Sequence, residues 1–273
     1  PSANPYLTFA ALLAAGLDGI EKKMAPPEPV EDNVYELDEE QLAKKNIGSL
    51  PASLSEAVAE LAFALTLSVT RRVARFDRLL RAGAPIVRPQ HLGIEMQGKS
   101  VGIVGMGNIG TIVAKKWRGA FDAQLWAYDP HVGADRWSDL PHTRVQHLHD
   151  MLPHVDVLTL HLPLTAESRH MISDAALALM KPDAVLINVS RGGIVDEVAL
   201  AAALQRGHLF GAGLDVFEVE PPPADHPLLA FDNLIATPHA AGGTHDTQRR
   251  SATQVAQQVI DVLNGGPVAY RVV

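Results

Sequence analysis

Lys99-Ser-Val-Gly-Ile-Val-Gly-Met-Gly-Asn-Ile-Gly110 sets an apolar run, Val101–Val104, directly before Gly105, Gly107 and Gly110 in the spacing G-x-G-x-x-G. The run reads as a strand, and Asn108 and Ile109 open a helix at once. In such a turn the first glycine permits the tight bend, the second lets the backbone approach a pyrophosphate, and the third lets helix and strand pack closely. The helix N-terminus offers the phosphates unpaired N–H groups and a partial positive charge. A second strand, Leu125–Tyr128, ends at Asp129, 19 residues past Gly110. A carboxylate there accepts hydrogen bonds from the adenosine ribose hydroxyls. Its charge repels a 2′-phosphate, and Pro130 and His131 follow it rather than an arginine, so NAD rather than NADP is the expected cofactor.

Outward from this loop the strand–helix alternation continues. Apolar runs at Asp156–His161, Ala184–Val189, Gly211–Asp215 and Leu234–Thr237 are separated by helical patterns at Ser173–Met180 and Asp196–Gln205, after the first at Asn108–Trp117. Strands apolar on both faces indicate a parallel sheet covered by helices on both sides. The expected fold is therefore α/β, a doubly wound parallel sheet of Rossmann type. Upstream, Leu54, Val58, Leu61 and Leu65 recur at helical spacing, Ser53 and Glu56 form a capping box, and Gly83 is a stop. Residues 1–52 have another texture: an apolar helix over Tyr6–Ile20, a Pro-rich stretch at Ala25–Pro29 and a short acidic segment around Tyr35–Gln41. The expected organisation is a mostly helical segment over 1–56 that is no independent domain, a long connecting helix over 57–84, the dinucleotide-binding domain over 85–243, and a C-terminal helix and tail over 244–273.

Composition narrows the function. The 273 residues carry a net charge of −8, which argues against nucleic acid or a membrane surface as partner. No cysteine is present, so disulfides, a thiol nucleophile and Cys-ligated zinc are all excluded, and the expected compartment is the cytoplasm. The most apolar stretch, Ala57–Val69, is 13 residues long and contains Glu60, too short for a membrane span. The apolar N-terminus lacks the basic flank of a signal peptide. A chain that starts at Pro1 rather than Met is expected to be processed, truncated or partial.

Three segments at later strand ends carry chemistry: Asn188-Val-Ser-Arg191-Gly-Gly, Gly213-Leu-Asp215-Val-Phe-Glu-Val-Glu220-Pro, and Thr237-Pro-His239-Ala-Ala-Gly242-Gly. Oxidising a 2-hydroxy acid moves a hydride from C2 to a nicotinamide and needs a base for the hydroxyl proton. Histidine suits that step because it titrates near neutrality. A carboxylate partner orients the imidazole, and an arginine grips the substrate carboxylate through two parallel hydrogen bonds. His239, Glu220 and Arg191 supply these groups in that order of roles.

At these residues the chain resembles the D-isomer-specific 2-hydroxyacid dehydrogenases, from about Ala57 to Val273. The resemblance rests on Val58-Ala-Glu60, Gly105–Gly110, His161-Leu-Pro-Leu-Thr165, Asn188–Gly192, Leu214–Pro221 and Pro238-His239. It implies that Arg191 binds substrate, that His239 is the acid/base and that Glu220, which directly precedes a proline, is its partner. It further implies that Asp215 contacts the nicotinamide end. Asn108, Ile109 and Asp129 would hold the pyrophosphate and ribose, and Leu162, Pro163, Val189 and Ser190 would line the cofactor cleft. With Gly105, Gly107, Gly110, Arg191, His239 and Gly242 these make up the expected cofactor site. The partner it implies is a small 2-hydroxy or 2-oxo acid, and the assembly a homodimer. Some members of the family are transcriptional corepressors that bind NAD(H). Retention of Arg191, Glu220 and His239 favours an enzyme over such a sensor.

In that family a flavodoxin-like domain precedes the long helix and supplies loops that grip the substrate carboxylate. Residues 1–56 instead are similar to the C-terminal region of glutamine synthetase, through Pro1–Ile20, Pro27-Glu-Pro-Val, Asn33-Val-Tyr-Glu-Leu37 and Leu50–Glu56. The chain therefore reads as a mosaic whose N-terminal piece carries no ligase chemistry, and a catalytically impaired mosaic lacking the substrate domain is the alternative to a working enzyme.

Other residues have plainer readings. His142, His147, His149 and His154 crowd one stretch, and His147-x-His149 could share a strand face. No carboxylate or further ligand is fixed beside them, so no metal site is expected. Trp117, Trp126 and Trp137 read as packing residues, and Arg71, Arg72, Arg75 and Arg78 as a solvated or interface face of the connecting helix.

Overall fold

The structure, a computed structural model, describes residues 54–133 and 135–264. The expected helix over Tyr6–Ile20, the Pro-rich and acidic stretches and the Ser53 cap lie outside the described residues. The described elements run α1 (Ser55–Thr70), α2 (Val73–Arg81), β1 (Ser100–Val104), α3 (Asn108–Phe121), β2 (Gln124–Tyr128), β3 (Thr143–Arg144), β4 (Val157–Leu160), α4 (Asp174–Leu179), β5 (Val185–Asn188), α5 (Glu197–Gln205), β6 (Gly211–Leu214), β7 (Leu234–Ala236) and α6 (His245–Leu263). Residues Ser55–Gly242 form one compact unit. The second unit contains α6, whose first turn is closed by the Thr244 hydroxyl, which accepts the Thr247 N–H at 3.0 Å.

Seven strands form one sheet in the order β3-β2-β1-β4-β5-β6-β7. Every pairing is parallel. Side chains alternate along a strand, so the central strands feed two cores. Val101 and Ile103 of β1, Val157 of β4, and Val185 and Ile187 of β5 pack with Leu65, Val69 and Trp117 of α1 and α3. On the opposite face Val104, Leu158, Leu160 and Leu186 pack with Leu177 of α4 and Leu200 of α5. The doubly apolar runs thus correspond to strands buried on both faces. The one strand absent from the sequence reading is β3, a two-residue edge strand with no apolar run of its own.

The expected long helix is interrupted. It breaks at Arg71-Arg72, where Arg72 takes a left-handed backbone conformation (φ 55°) between α1 and α2. The break is anchored from three sides. The Ile94 N–H donates to the Thr70 carbonyl at 2.9 Å, Arg72 Nε donates to the Leu92 carbonyl at 2.8 Å, and its guanidinium lies 4.3 Å from the centre of the Phe210 ring. Spacing of apolar residues could not show this, because tertiary contacts to Phe210 and Leu92 decide it. Gly83, with φ 62°, follows the end of α2 as expected of a stop. Arg75 and Arg78 both face Asp232, at 3.8 Å each.

Helix α1 crosses β5 and β6 at close range. A Cβ on Gly213 would stand 2.9 Å from Ile187 Cδ1 and 3.0 Å from Leu65 Cβ. The lower part of the sheet therefore admits α1 only because β6 presents glycine there. Gly213→Val is expected to destabilise the protein by about 1–3 kcal/mol through overpacking, read as a lower denaturant midpoint with an unchanged slope.

The four clustered histidines stay at or near the surface: His147, His149 and His154 are exposed and His142 is half-buried. His154 stacks on Trp126 at 4.7 Å and His142 meets the edge of Trp137 at 5.5 Å. Trp117 and Trp137 are buried, and the Trp137 indole N–H donates to the Thr111 hydroxyl at 2.7 Å.

Candidate active site and dinucleotide cleft

The expected cofactor and catalytic residues lie in the segments that follow the carboxyl ends of the parallel strands. The order of the sheet reverses direction between β1 and β4, and crevices beside such a switch point are where open α/β sheets bind ligands. The glycine loop follows β1, Asp129 follows β2, Leu162 and Pro163 follow β4, Val189–Arg191 follow β5, Asp215 follows β6 and His239 follows β7.

Gly105 has φ 97°, and a Cβ on it would fall on the carbonyl of His161. The loop after β4 is therefore pressed against the glycine loop. A Cβ on Gly110 would fall on the Gly105 carbonyl, so α3 starts in contact with the turn that precedes it. Gly107 differs, since a Cβ there would meet nothing within 4 Å. Its backbone faces open space at the N-terminus of α3, which no side chain caps. That is the form a pyrophosphate cradle needs: backbone approachable from outside and helix N–H groups unclaimed by a side chain.

Asp129 is tied into the same cradle. Its carboxylate accepts the Met106 N–H at 2.8 Å and the His131 N–H at 2.9 Å. The turn after β2 is braced by Arg144, which donates to the carbonyls of Asp129 at 2.9 Å, Val132 at 2.6 Å and Gly133 at 2.5 Å. Arg136 donates to the Met106 carbonyl at 2.8 Å and the Thr111 hydroxyl at 3.2 Å. Neither arginine was singled out from the sequence. Both are distant from the glycine motif along the chain, and only the pairing of β2 with β3 brings Arg144 to the turn.

His161 lies wholly inside the protein behind this loop, and burial pushes its pKa down to about 3. It shares a 2.9 Å hydrogen bond with the Thr159 hydroxyl through Nε2, and Nδ1 has no partner among the described residues. It stays neutral at working pH and contributes packing rather than charge.

His239 and Glu220 meet directly. Nδ1 of His239 donates to Glu220 Oε2 at 2.7 Å, while Oε1 accepts the Phe217 N–H at 3.1 Å. This fixes the proton on Nδ1 and leaves Nε2 as the basic nitrogen; no hydrogen bond engages Nε2 among the described residues. The imidazole is about half exposed. His239 has φ 51°, a conformation held by its own N–H donating to the Asp215 carbonyl at 2.7 Å.

Asp215 is completely buried and organises the turn around His239. Its Oδ1 accepts the Thr237 hydroxyl at 2.5 Å and the Ala240 N–H at 2.8 Å, and Oδ2 accepts the Ala241 N–H at 2.9 Å. Arg191 is exposed, with one hydrogen bond to its neighbour's carbonyl, Ser190 O, at 2.7 Å. Among the described residues no carboxylate pairs with it. Asn188 shapes its turn: Oδ1 accepts the Ser190 N–H at 3.0 Å and Nδ2 donates to the Arg191 carbonyl at 2.9 Å. A Cβ on Gly192 would fall on the Phe217 carbonyl, so the arginine turn lies directly against the segment that carries Glu220.

A doubly wound sheet with a glycine turn after β1, a histidine–carboxylate pair, and an arginine that no carboxylate among the described residues engages is the arrangement expected of a dinucleotide-dependent oxidoreductase. Comparison with known proteins gives the family. Residues 63–241 match the D-isomer specific 2-hydroxyacid dehydrogenase, NAD binding domain. The glyoxylate reductase of Korarchaeum cryptofilum is 39% identical over 266 residues, which cover 96% of this chain and 75% of the reductase. The D-3-phosphoglycerate dehydrogenase of Methanocaldococcus jannaschii is 38% identical over 85% of this chain and 44% of its own. The structure of D-lactate dehydrogenase from Aquifex aeolicus, complexed with NAD and lactic acid, superposes with a TM-score of 0.73 at 32% identity, covering 84% of this chain and 73% of that one.

The chain belongs to the D-isomer specific 2-hydroxyacid dehydrogenase family, and is an NAD-dependent oxidoreductase of 2-hydroxy acids. Residues 1–69 also match the glutamine synthetase catalytic domain. That match runs past residue 56 into α1 and overlaps the dehydrogenase match over 63–69. Among the described residues no helix is long and apolar enough to cross a membrane.

Proposed function

We propose that His239 is the acid/base of this dehydrogenase, Glu220 the carboxylate that orients it, and Arg191 the residue that binds the substrate carboxylate. The observation that carries this reading is the 2.7 Å bond between His239 Nδ1 and Glu220, which leaves Nε2 as the only basic nitrogen of the ring. In the oxidation direction Nε2 takes the hydroxyl proton of the substrate, and in reduction the protonated ring returns it to the forming hydroxyl. Glu220 favours the charged ring that exists between those events. The Arg191 guanidinium offers a planar fork to the acid group and draws electron density from the reacting oxygen. The nicotinamide, when bound, supplies the hydride acceptor or donor.

The cofactor is assigned to the cradle at β1. The Asn108 and Ile109 N–H groups and the Gly105–Gly110 backbone would hold the pyrophosphate, Asp129 the ribose, and Leu162, Pro163, Val189, Ser190 and Gly242 would line the cleft. Asp215 serves the nicotinamide end by holding the turn beside it. The connecting segment over 57–84 and the dinucleotide domain over 85–243 form the working part of a cytoplasmic homodimer. Its substrate is a short acid, glyoxylate, hydroxypyruvate, pyruvate or phosphohydroxypyruvate.

The chain is expected to bind NADH in the micromolar range, on the order of −8 kcal/mol, and to prefer NADH to NADPH. Titration calorimetry checks the first part. Absence of binding by folded protein would remove the cofactor assignment. A steady-state screen of the four acids with both coenzymes checks the second and names the substrate.

A further inference from the structure

The segment that carries Glu220 also contacts a second set of titratable side chains, which takes no part in the proton transfer. Glu197, in the first turn of α5, accepts two hydrogen bonds from the two ends of the segment that carries Glu220. Its Oε1 accepts the Glu218 N–H at 2.8 Å, and its Oε2 accepts Nε2–H of His226 at 3.1 Å. The proton on His226 is placed by a further bond, since Nδ1 accepts the Leu228 N–H at 3.3 Å. Both side chains are nearly buried, 14% exposed for Glu197 and 16% for His226. The His226 ring also meets the edge of Phe217 at 5.6 Å.

The Glu218 side chain extends the set. It pairs with His170 Nε2 at 2.9 Å, and the His170 N–H donates to the Gly193 carbonyl at 2.7 Å, two residues from Arg191. Glu218, whose N–H Glu197 holds, is thus linked through His170 to the turn that follows Arg191.

Besides Glu197, the segment is held by the Glu218–His170 pair and by the His226 N–H, which donates to the Pro223 carbonyl at 2.9 Å. Glu220 is joined to it by the single bond from the Phe217 N–H, and Val219 to Pro221 are exposed. A carboxylate on an exposed loop keeps one geometry only if the loop is fixed at both sides of it. Glu197 supplies that on both sides, at Glu218 before Glu220 and at His226 after it.

We propose that Glu197 is a positioning residue for the reaction: through Glu218 and His226 it holds Glu220 at the distance at which His239 is oriented. The inference rests on the assignment of Glu220 and His239 above. It has its own readout, because the Phe217 amide reports the loop with no substrate present.

The test uses the full chain. In Glu197→Gln the amide oxygen still accepts the Glu218 N–H, but the amide nitrogen faces the Nε2–H of His226, donor against donor. Exchange of the Phe217 amide is expected to speed up about tenfold or more, as a local opening without global unfolding. With the identified acid, kcat is expected to fall about tenfold while KM for NADH stays within twofold. His226→Leu, which removes the donor, is expected to do the same. His226→Gln, which can donate to Glu197 and accept from Leu228, restores both the slow exchange and the turnover lost in His226→Leu.

The proposal is overturned if Phe217 exchange is unchanged in both Glu197→Gln and His226→Leu. It is also overturned if β4, β5 and β6 amides accelerate as much as Phe217 does, which would make Glu197 a general stabiliser. If Glu197→Gln does not fold, the His226 pair decides by the same criteria. A wild-type chain inactive on every acid would count against the reaction assignment, and the exchange data would still judge the clamp.

Discussion

His239→Ala is expected to lower kcat by roughly 10²–10⁴-fold while leaving the NADH dissociation constant within about twofold. The ring contributes in the transition state, where the proton is in transit, and the fall in kcat reads that contribution. The cofactor cradle lies elsewhere: the glycine loop follows β1, whereas His239 follows β7. Among the described residues nothing in the cradle hydrogen-bonds the imidazole, whose partner is Glu220. The backbone of residue 239 is held by its own N–H to the Asp215 carbonyl, an interaction that alanine keeps. The positive φ of 51° strains alanine slightly, and the same strain is present with histidine. Paired measurement of steady-state kinetics and NADH calorimetry checks the prediction. Retained turnover in the variant removes the proton-transfer assignment. A parallel loss of NADH binding would instead mean that the turn, and not the proton, had been lost.

Glu220→Gln separates orientation from chemistry. The amide retains the shape and can still accept from His239 Nδ1–H or from Phe217 N–H, but it lacks the charge that stabilises the protonated ring. A smaller fall than in His239→Ala is the consistent outcome, because the base itself remains.

The parts of the fold that were legible from the sequence are those decided by local pattern. Val101–Val104 followed by three glycines, and the later runs Ala184–Val189 and Gly211–Asp215, carry their burial in their composition, and each forms a strand within one or two residues of its expected bounds. Arg191, Glu220 and His239 were legible for a different reason. They lie in the segments that follow β5, β6 and β7, and parallel strands all end at the same edge. The structure brings Glu220 and His239 into contact and sets the Arg191 turn against the Glu220 segment. What was not legible depends on pairs distant in sequence. The break at Arg72 needs Phe210 and Leu92, the brace on the Asp129 turn needs Arg144 in β3, and the pairing of Glu197 with His226 joins residues 29 apart. Asp196–Gln205 was read as a helix, and Asp196 does cap it by accepting the Val198 and Ala199 N–H groups. That local reading gives no sign that the adjacent Glu197 turns inward.

Asp215→Ala is expected to cost about 1–3 kcal/mol of stability at the buried Ala241 N–H, which loses its acceptor, with a smaller loss at the Ala240 N–H, which belongs to an exposed residue. Both bonds are short, 2.8 and 2.9 Å, and the carboxylate that receives them is fully buried, so water cannot readily replace it. The Thr237 hydroxyl is the lesser loss, since it can rotate toward another acceptor. Thr237→Val, which removes that bond alone, is therefore expected to cost only about 0.5–1.5 kcal/mol. Asp215→Asn should fall between the two, because one oxygen still accepts while the new amide meets a backbone donor. Denaturant unfolding of the three variants checks the order. The same residue links stability to function. Its carbonyl accepts the His239 N–H and its carboxylate holds the two residues that follow, so the turn that presents Nε2 is built on Asp215 from both main chain and side chain. Turnover in Asp215→Ala is thus expected to fall even at temperatures where the variant remains folded. An Asp215→Ala protein as stable as the wild type would show that the turn keeps its form without the carboxylate, and its geometry would then have to be set by the β7 strand alone.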